Sequence, residues 1–192
     1  MKQEQELNPE ESIAIIQSMI DKARFDFSQG SFYFIIWGTL LPIAAMFEFF
    51  AQRQDSEFFY IGWPIAGIIG AAASMYFGYK TSVNGGNTHL TRIYSALWIT
   101  YFVTLVMLLI GLVTNNINPG TYIMLLTGLP TFLTGYMLEF NPLKLGGFVF
   151  WGAGLTGLFI GSEFLSILFA ASIIGGYLIP GLIMRKVKRS HV

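Results

Sequence analysis

The chain has no cysteine, two histidines and only 11% charged residues. Without cysteine there is no disulfide, no thiolate metal site and no thiol nucleophile, and no redox compartment is implied. A soluble domain carries about 25% charged residues, so most of this surface must face something other than water. The eleven basic and eleven acidic side chains cancel, which leaves nucleic acid nothing to attract it. No G-x-x-x-x-G-K-[ST] phosphate loop is present. His89 and His191 read as solvated residues of a loop and a tail, far from any Ser–Asp cluster. No group of His, Cys or carboxylate side chains has metal-ligand spacing. The sequence therefore assigns no catalytic, cofactor or metal residue, and a non-enzyme is expected. The first thirty residues lack a short apolar core before a small-residue cleavage site, so no cleavable signal peptide is expected.

What is present is apolar length. Leu145 to Met184 is forty residues with one charged side chain, Glu163. That is too long for one span and suits two, turning at Gly161-Ser162-Glu163. Six spans are expected in all: Phe32–Ala51, Phe58–Tyr79, Ile93–Val113, Thr121–Leu138, Leu145–Ser162 and Phe164–Met184. Each is near the roughly 20 residues needed to cross a bilayer core. Pro42, Pro64, Pro130 and Pro180 fall inside them and read as gentle kinks. Asn84-Gly85-Gly86 and Asn118-Pro119-Gly120 are turn chemistry. Ala153, Gly157 and Gly161 form a small-residue stripe at four-residue spacing, which lets helices approach closely in lipid.

Before the spans, Asn8-Pro9-Glu10-Glu11 starts a helix: Asn8 caps, Pro9 takes the first position and Glu11 completes a capping box. Ile13, Ile16, Ile20 and Phe27 give that helix an apolar stripe. It is too polar to span, and residues 1–31 carry six acidic and three basic side chains, net −3. Anionic lipid suits that balance poorly; docking on the chain's own bundle or on another protein suits it better. The expected organisation is a cytoplasmic segment 1–31, a transmembrane domain 32–184 and a basic tail 185–192. Ten basic residues fall on one side of the expected topology, and Arg53 alone falls on the other. By the positive-inside rule both termini are cytoplasmic.

The spans suggest repetition. Trp37, Trp98 and Trp151 each lie about six residues into an upward helix, roughly 9 Å deep. Trp37-Gly38 matches Trp151-Gly152, and Ile68-Ile69-Gly70 matches Ile173-Ile174-Gly175. Three parallel hairpins are expected, the first and third most alike. The fold class is all-α: a six-helix membrane bundle plus an amphipathic helix.

Asn8-Pro9-Glu10-Glu11-Ser12 with Ile15-Ile16 and Met19-Ile20, Phe32-Tyr33 before Trp37-Gly38, and the late run Tyr177-Leu178-Ile179-Pro180-Gly181 resemble a group of uncharacterised bacterial integral membrane proteins. The resemblance covers most of the chain. It implies six spans with a cytoplasmic N-terminal helix in a bacterial inner membrane, and it carries no activity.

The candidate functional residues are polar groups in or near the spans. Glu48, near the top of span one, and Glu163 would give an acidic outer mouth with Asp55 and Glu57. An acid within a span is a functional hypothesis by default, though Glu48 sits close enough to the helix end to reach water or Arg53. Glu139 is placed to pair with Lys144. Thr100 and Thr104, with Thr127 and Thr131, sit one turn apart, and with Tyr101 would line a polar path; the plainer reading is interhelical glue. The leading expectation is a membrane-embedded interaction or regulatory subunit that docks through Ile13, Ile16 and Ile20. Its partners would be the lipid bilayer and a membrane protein or a second copy. The alternative is a small oligomeric channel or carrier for a cation or neutral solute.

Overall fold

The computed structural model describes residues 13, 30–82 and 89–189, and every regular element among them is a helix. In chain order these are α1 (Ser31–Arg53), α2 (Gly62–Ser82), α3 (His89–Thr114), α4 (Gly120–Met137), α5 (Asn141–Gly157), α6 (Ser162–Ile173), a π turn (Ile174–Leu178) and α7 (Ile179–Arg189). Among the described residues, three stretches are long and apolar enough to cross a membrane, which suggests membrane association: Ser31–Arg53, Arg92–Thr114 and Phe164–Lys186. The last runs unbroken through α6, the π turn and α7. Apart from Ile13, the expected N-terminal amphipathic helix lies outside the described residues, as does the Asn84-Gly85-Gly86 turn.

The expectation of six spans is met by three. α4 has 18 residues and α5 has 17. At about 1.5 Å per residue, 17 residues cover about 26 Å of a roughly 30 Å core. α2 starts at Gly62 rather than Phe58, after a run of turns. Pro64 therefore falls in its first turn, where a missing N–H breaks no helical bond. Pro42, Pro130 and Pro180 are interior and buried.

The three-hairpin pairing is also corrected. α4 and α5 make the most extensive contact in the fold, although the expected hairpins separated them. Only residues 138–140 join these helices, and so short a link makes them antiparallel neighbours. Glu139 (φ 51°) turns the chain, and the Phe140 N–H reaches back to the Gly135 carbonyl at 2.9 Å. Asp55 and Asn116 close α1 and α3 in the same way, with Ser56 N–H on Ala51 O and Ile117 N–H on Leu112 O. These are left-handed closures of the Schellman type. α1 packs on α6, the π turn and α7, while α2 packs on α1.

Glycine sets the α4–α5 distance. A Cβ on Gly147 would lie 2.6 Å from Phe132 Cβ and 3.0 Å from Gly128 O. One on Gly154 would lie 2.6 Å from Leu125 Cγ, and one on Gly135 would lie 2.5 Å from Lys144 N. On its other face α5 meets the π turn, where a Cβ on Gly146 would lie 2.6 Å from Gly176 O. The expected stripe of Ala153, Gly157 and Gly161 does not hold as a unit. α5 ends at Gly157, which is buried beside Thr121 and Leu165. Gly161 has open space around it, and Ala153 is half-buried.

The repeat does not extend to packing. Trp37 lies over Gly70 of α2 and donates from Nε1 to Ser74 Oγ at 3.2 Å. An equivalent Trp151 would lie over Gly175. It lies instead over Gly128 of α4 and donates to the Leu125 carbonyl at 3.2 Å. Gly38 abuts Leu178, whereas its counterpart Gly152 meets nothing.

These contacts predict a contrast. Gly147→Ala should destabilise the fold by about 1–3 kcal/mol through overpacking. Gly152→Ala should stay within about 0.5 kcal/mol of the parent. Thermal unfolding of both variants in one mild detergent checks this.

Candidate functional site

Several of the buried polar residues gather in one seam where α3 and the π turn meet α4. On α4, Thr127, Thr131 and Thr134 follow helical spacing and are buried. The Tyr101 hydroxyl of α3 lies 2.9 Å from the Thr127 hydroxyl, and Thr131 Oγ1 donates to the Thr127 carbonyl at 2.7 Å. The π turn brings Tyr177, 5% exposed, into the same seam, turned towards Thr131. Its ring meets Phe150 edge-on at 4.9 Å and Phe34 at 5.5 Å.

α3 attaches to this seam through large side chains. Trp98 meets Phe34 at 6.1 Å and Tyr101 at 5.5 Å, and Phe102 lies 6.3 Å from Trp37. Among the described residues, two buried polar atoms have no hydrogen-bond partner: Trp98 Nε1 and Thr134 Oγ1. The Trp98 indole lies close to the Tyr94 ring of the same helix, with centroids 6.2 Å apart. Each such orphan costs about 1–3 kcal/mol of desolvation.

The expected site residues separate. Thr127 and Thr131 share the seam with Tyr101. Thr100 and Thr104 lie on the exposed side of α3, where Thr104 Oγ1 donates to the Thr100 carbonyl at 2.8 Å. That bond satisfies the hydroxyl within its own helix, so no second helix is needed. Glu48 is half-buried and accepts from Ser166 Oγ at 2.9 Å and from Gln52 Nε2 at 3.5 Å. Arg53 lies over the Phe49 ring at 4.1 Å. Glu163 belongs to the first turn of α6, but its side chain lies outside the described residues. Asp55 and Glu57 are exposed. Lys144, expected to pair with Glu139, faces the Tyr136 ring at 5.5 Å. Ile13 is exposed, and Ile16 and Ile20 lie outside the described residues.

Sequence reasoning missed Thr134, Tyr177 and Ser166. Thr134 continues the Thr127–Thr131 stripe at i+3 and was open to discovery. Tyr177 follows Gly175-Gly176, a pair that marks a possible break in a helix. Nothing local marks Ser166 as the partner of a residue more than a hundred positions away.

The seam yields a second contrast. Tyr101→Phe leaves the Thr127 hydroxyl without its partner and should cost roughly 0.6–1.7 kcal/mol. Thr104→Val should be near neutral. Unfolding midpoints of the two variants against the parent decide it.

No protein-family model, curated protein or solved structure matches the chain.

Proposed function

We propose that the chain is a six-span protein of a bacterial inner membrane, with both termini cytoplasmic, acting as a non-enzymatic interaction or regulatory subunit. The six-span reading gains support from α4. Its polar and small residues Thr127, Gly128, Thr131, Thr134 and Gly135 are all buried against protein. The residues it turns outward include Leu129, Leu133 and Tyr136. A helix of this kind needs hydrocarbon compatibility only on its outer face. Slight bilayer thinning accommodates the shortness of α4 and α5.

The observation that carries the interaction reading is the exposure of α3. None of its spanning window is buried, and Ile99, Val103, Val106, Met107 and Ile110 form one apolar stripe. The interior, by contrast, is spent on packing. Thr127 and Thr131 are closed off and their hydroxyls already bonded. That disfavours a path along the Thr stripes. The transport alternative is favoured by the Glu48–Ser166 contact near the end of α1.

Purification from native membranes at native expression should recover a second, different protein in fixed ratio, whereas a defined oligomer of this chain alone would favour the transport alternative. Val103→Trp with Met107→Trp should reduce that recovery at least about tenfold while the protein stays inserted, the scale of one lost hot spot. Monomer alone from the parent would sink the interaction reading. A cation flux in proteoliposomes that Glu48→Gln abolishes would establish the transport alternative.

A further inference from the structure

We propose that a groove along the outer side of α1 seats one acidic phospholipid, its acyl chain on α1 and its phosphate on Arg185. The inference rests on the membrane-crossing reading of α1 and of the α6–α7 run, and not on the regulatory role. The groove has a volume of about 560 Å³ and is lined by Ser31, Phe32, Ile35, Ile36, Thr39 and Leu40, with Arg185 of α7. Ligand sites typically enclose about 300–1,000 Å³.

The α1 lining residues recur along one face, so they make a continuous strip. From Ser31 to Leu40 the strip descends about 14 Å at 1.5 Å per residue. That is about the depth of one leaflet of a roughly 30 Å core. Four of its side chains are apolar: Phe32, Ile35, Ile36 and Leu40. Thr39 gives its hydroxyl to the Ile35 carbonyl at 2.8 Å and offers the strip a methyl group.

The polar end lies at the membrane boundary. Ser31 is the first residue of one crossing stretch, and Arg185 is next to last of another. α7 holds Arg185 there because Gly181, one turn earlier, abuts Phe34 and Ile35 of α1. Arg185 is exposed, and among the described residues no carboxylate pairs with it. A guanidinium at the head of an apolar strip matches a phosphodiester above an acyl chain, and its planar fork binds phosphate in two-point fashion. Basic pockets between membrane helices take acidic head groups on this principle.

The test uses the full-length protein in a neutral maltoside detergent, with added dioleoyl phosphatidylglycerol or dioleoyl phosphatidylcholine. Phosphatidylglycerol should raise the unfolding midpoint by about 5 °C more than phosphatidylcholine at near-saturating lipid. Lys186→Gln, which neutralises a basic neighbour outside the groove, should keep that difference. Arg185→Gln should lose most of it. Ile36→Trp, which fills the groove and leaves Arg185 in place, should lose it too. Equal response to both lipids, or a full response from Arg185→Gln, overturns the proposal. A full response from Ile36→Trp also overturns it, since the head group would then bind without the groove. Carbonate extraction of the same variants reads membrane insertion separately, so failure of the lipid site and failure of the membrane reading are distinguishable.

Discussion

The closest constraint in the fold is the backbone approach of α4 to α5. Gly128 and Gly135 on one helix, with Gly147 and Gly154 on the other, remove the side chains that would hold the two apart. So close an approach brings backbone atoms of the two helices into direct dispersion contact. Each glycine here gives that contact no alternative: a methyl group in its place would overlap backbone or side-chain atoms of the facing helix. The pair then acts as a base. α5 offers its opposite face, with Gly146 and Phe150, to the π turn, and α4 offers its threonines to α3.

On that base the bundle is built unevenly. α1 is locked to the π turn and α7 by Gly38 against Leu178 and by Gly181 against Phe34 and Ile35. α3 meets the bundle through contacts that include its rings and the Tyr101–Thr127 hydroxyl pair, and its outer stripe is exposed. Native interiors rarely leave buried polar atoms such as Thr134 Oγ1 unsatisfied.

How much of this was legible depended on the kind of signal. Apolar length located the helices well, because a run such as Leu145 to Met184 admits few other structures. Asn118 was legible as a turn residue and accepts the Gly120 N–H at 2.9 Å. Which helix meets which was not legible. Trp37 and Trp151 share local sequence, yet they rest on glycines in different relations to them, and only the fold decides which. Glu139 at positive φ carries no sequence mark, since left-handed turns favour glycine or asparagine. Thr100 and Thr127 look alike as letters, but one lies on the exposed side of its helix and the other bonds across to a phenol.

The π turn has a consequence for phase. One residue beyond the α-helical count rotates everything after it by about 100° relative to an uninterrupted helix. The run from Ser162 to Arg189 therefore has two independent facings. Its first half is set by what α6 presents to α1 and α5, its second by Gly181 against α1. A single period fitted through both halves would misassign one of them. The two faces of this last helical run are free to change in sequence separately, because the five residues Ile174–Leu178 absorb the difference in register between them.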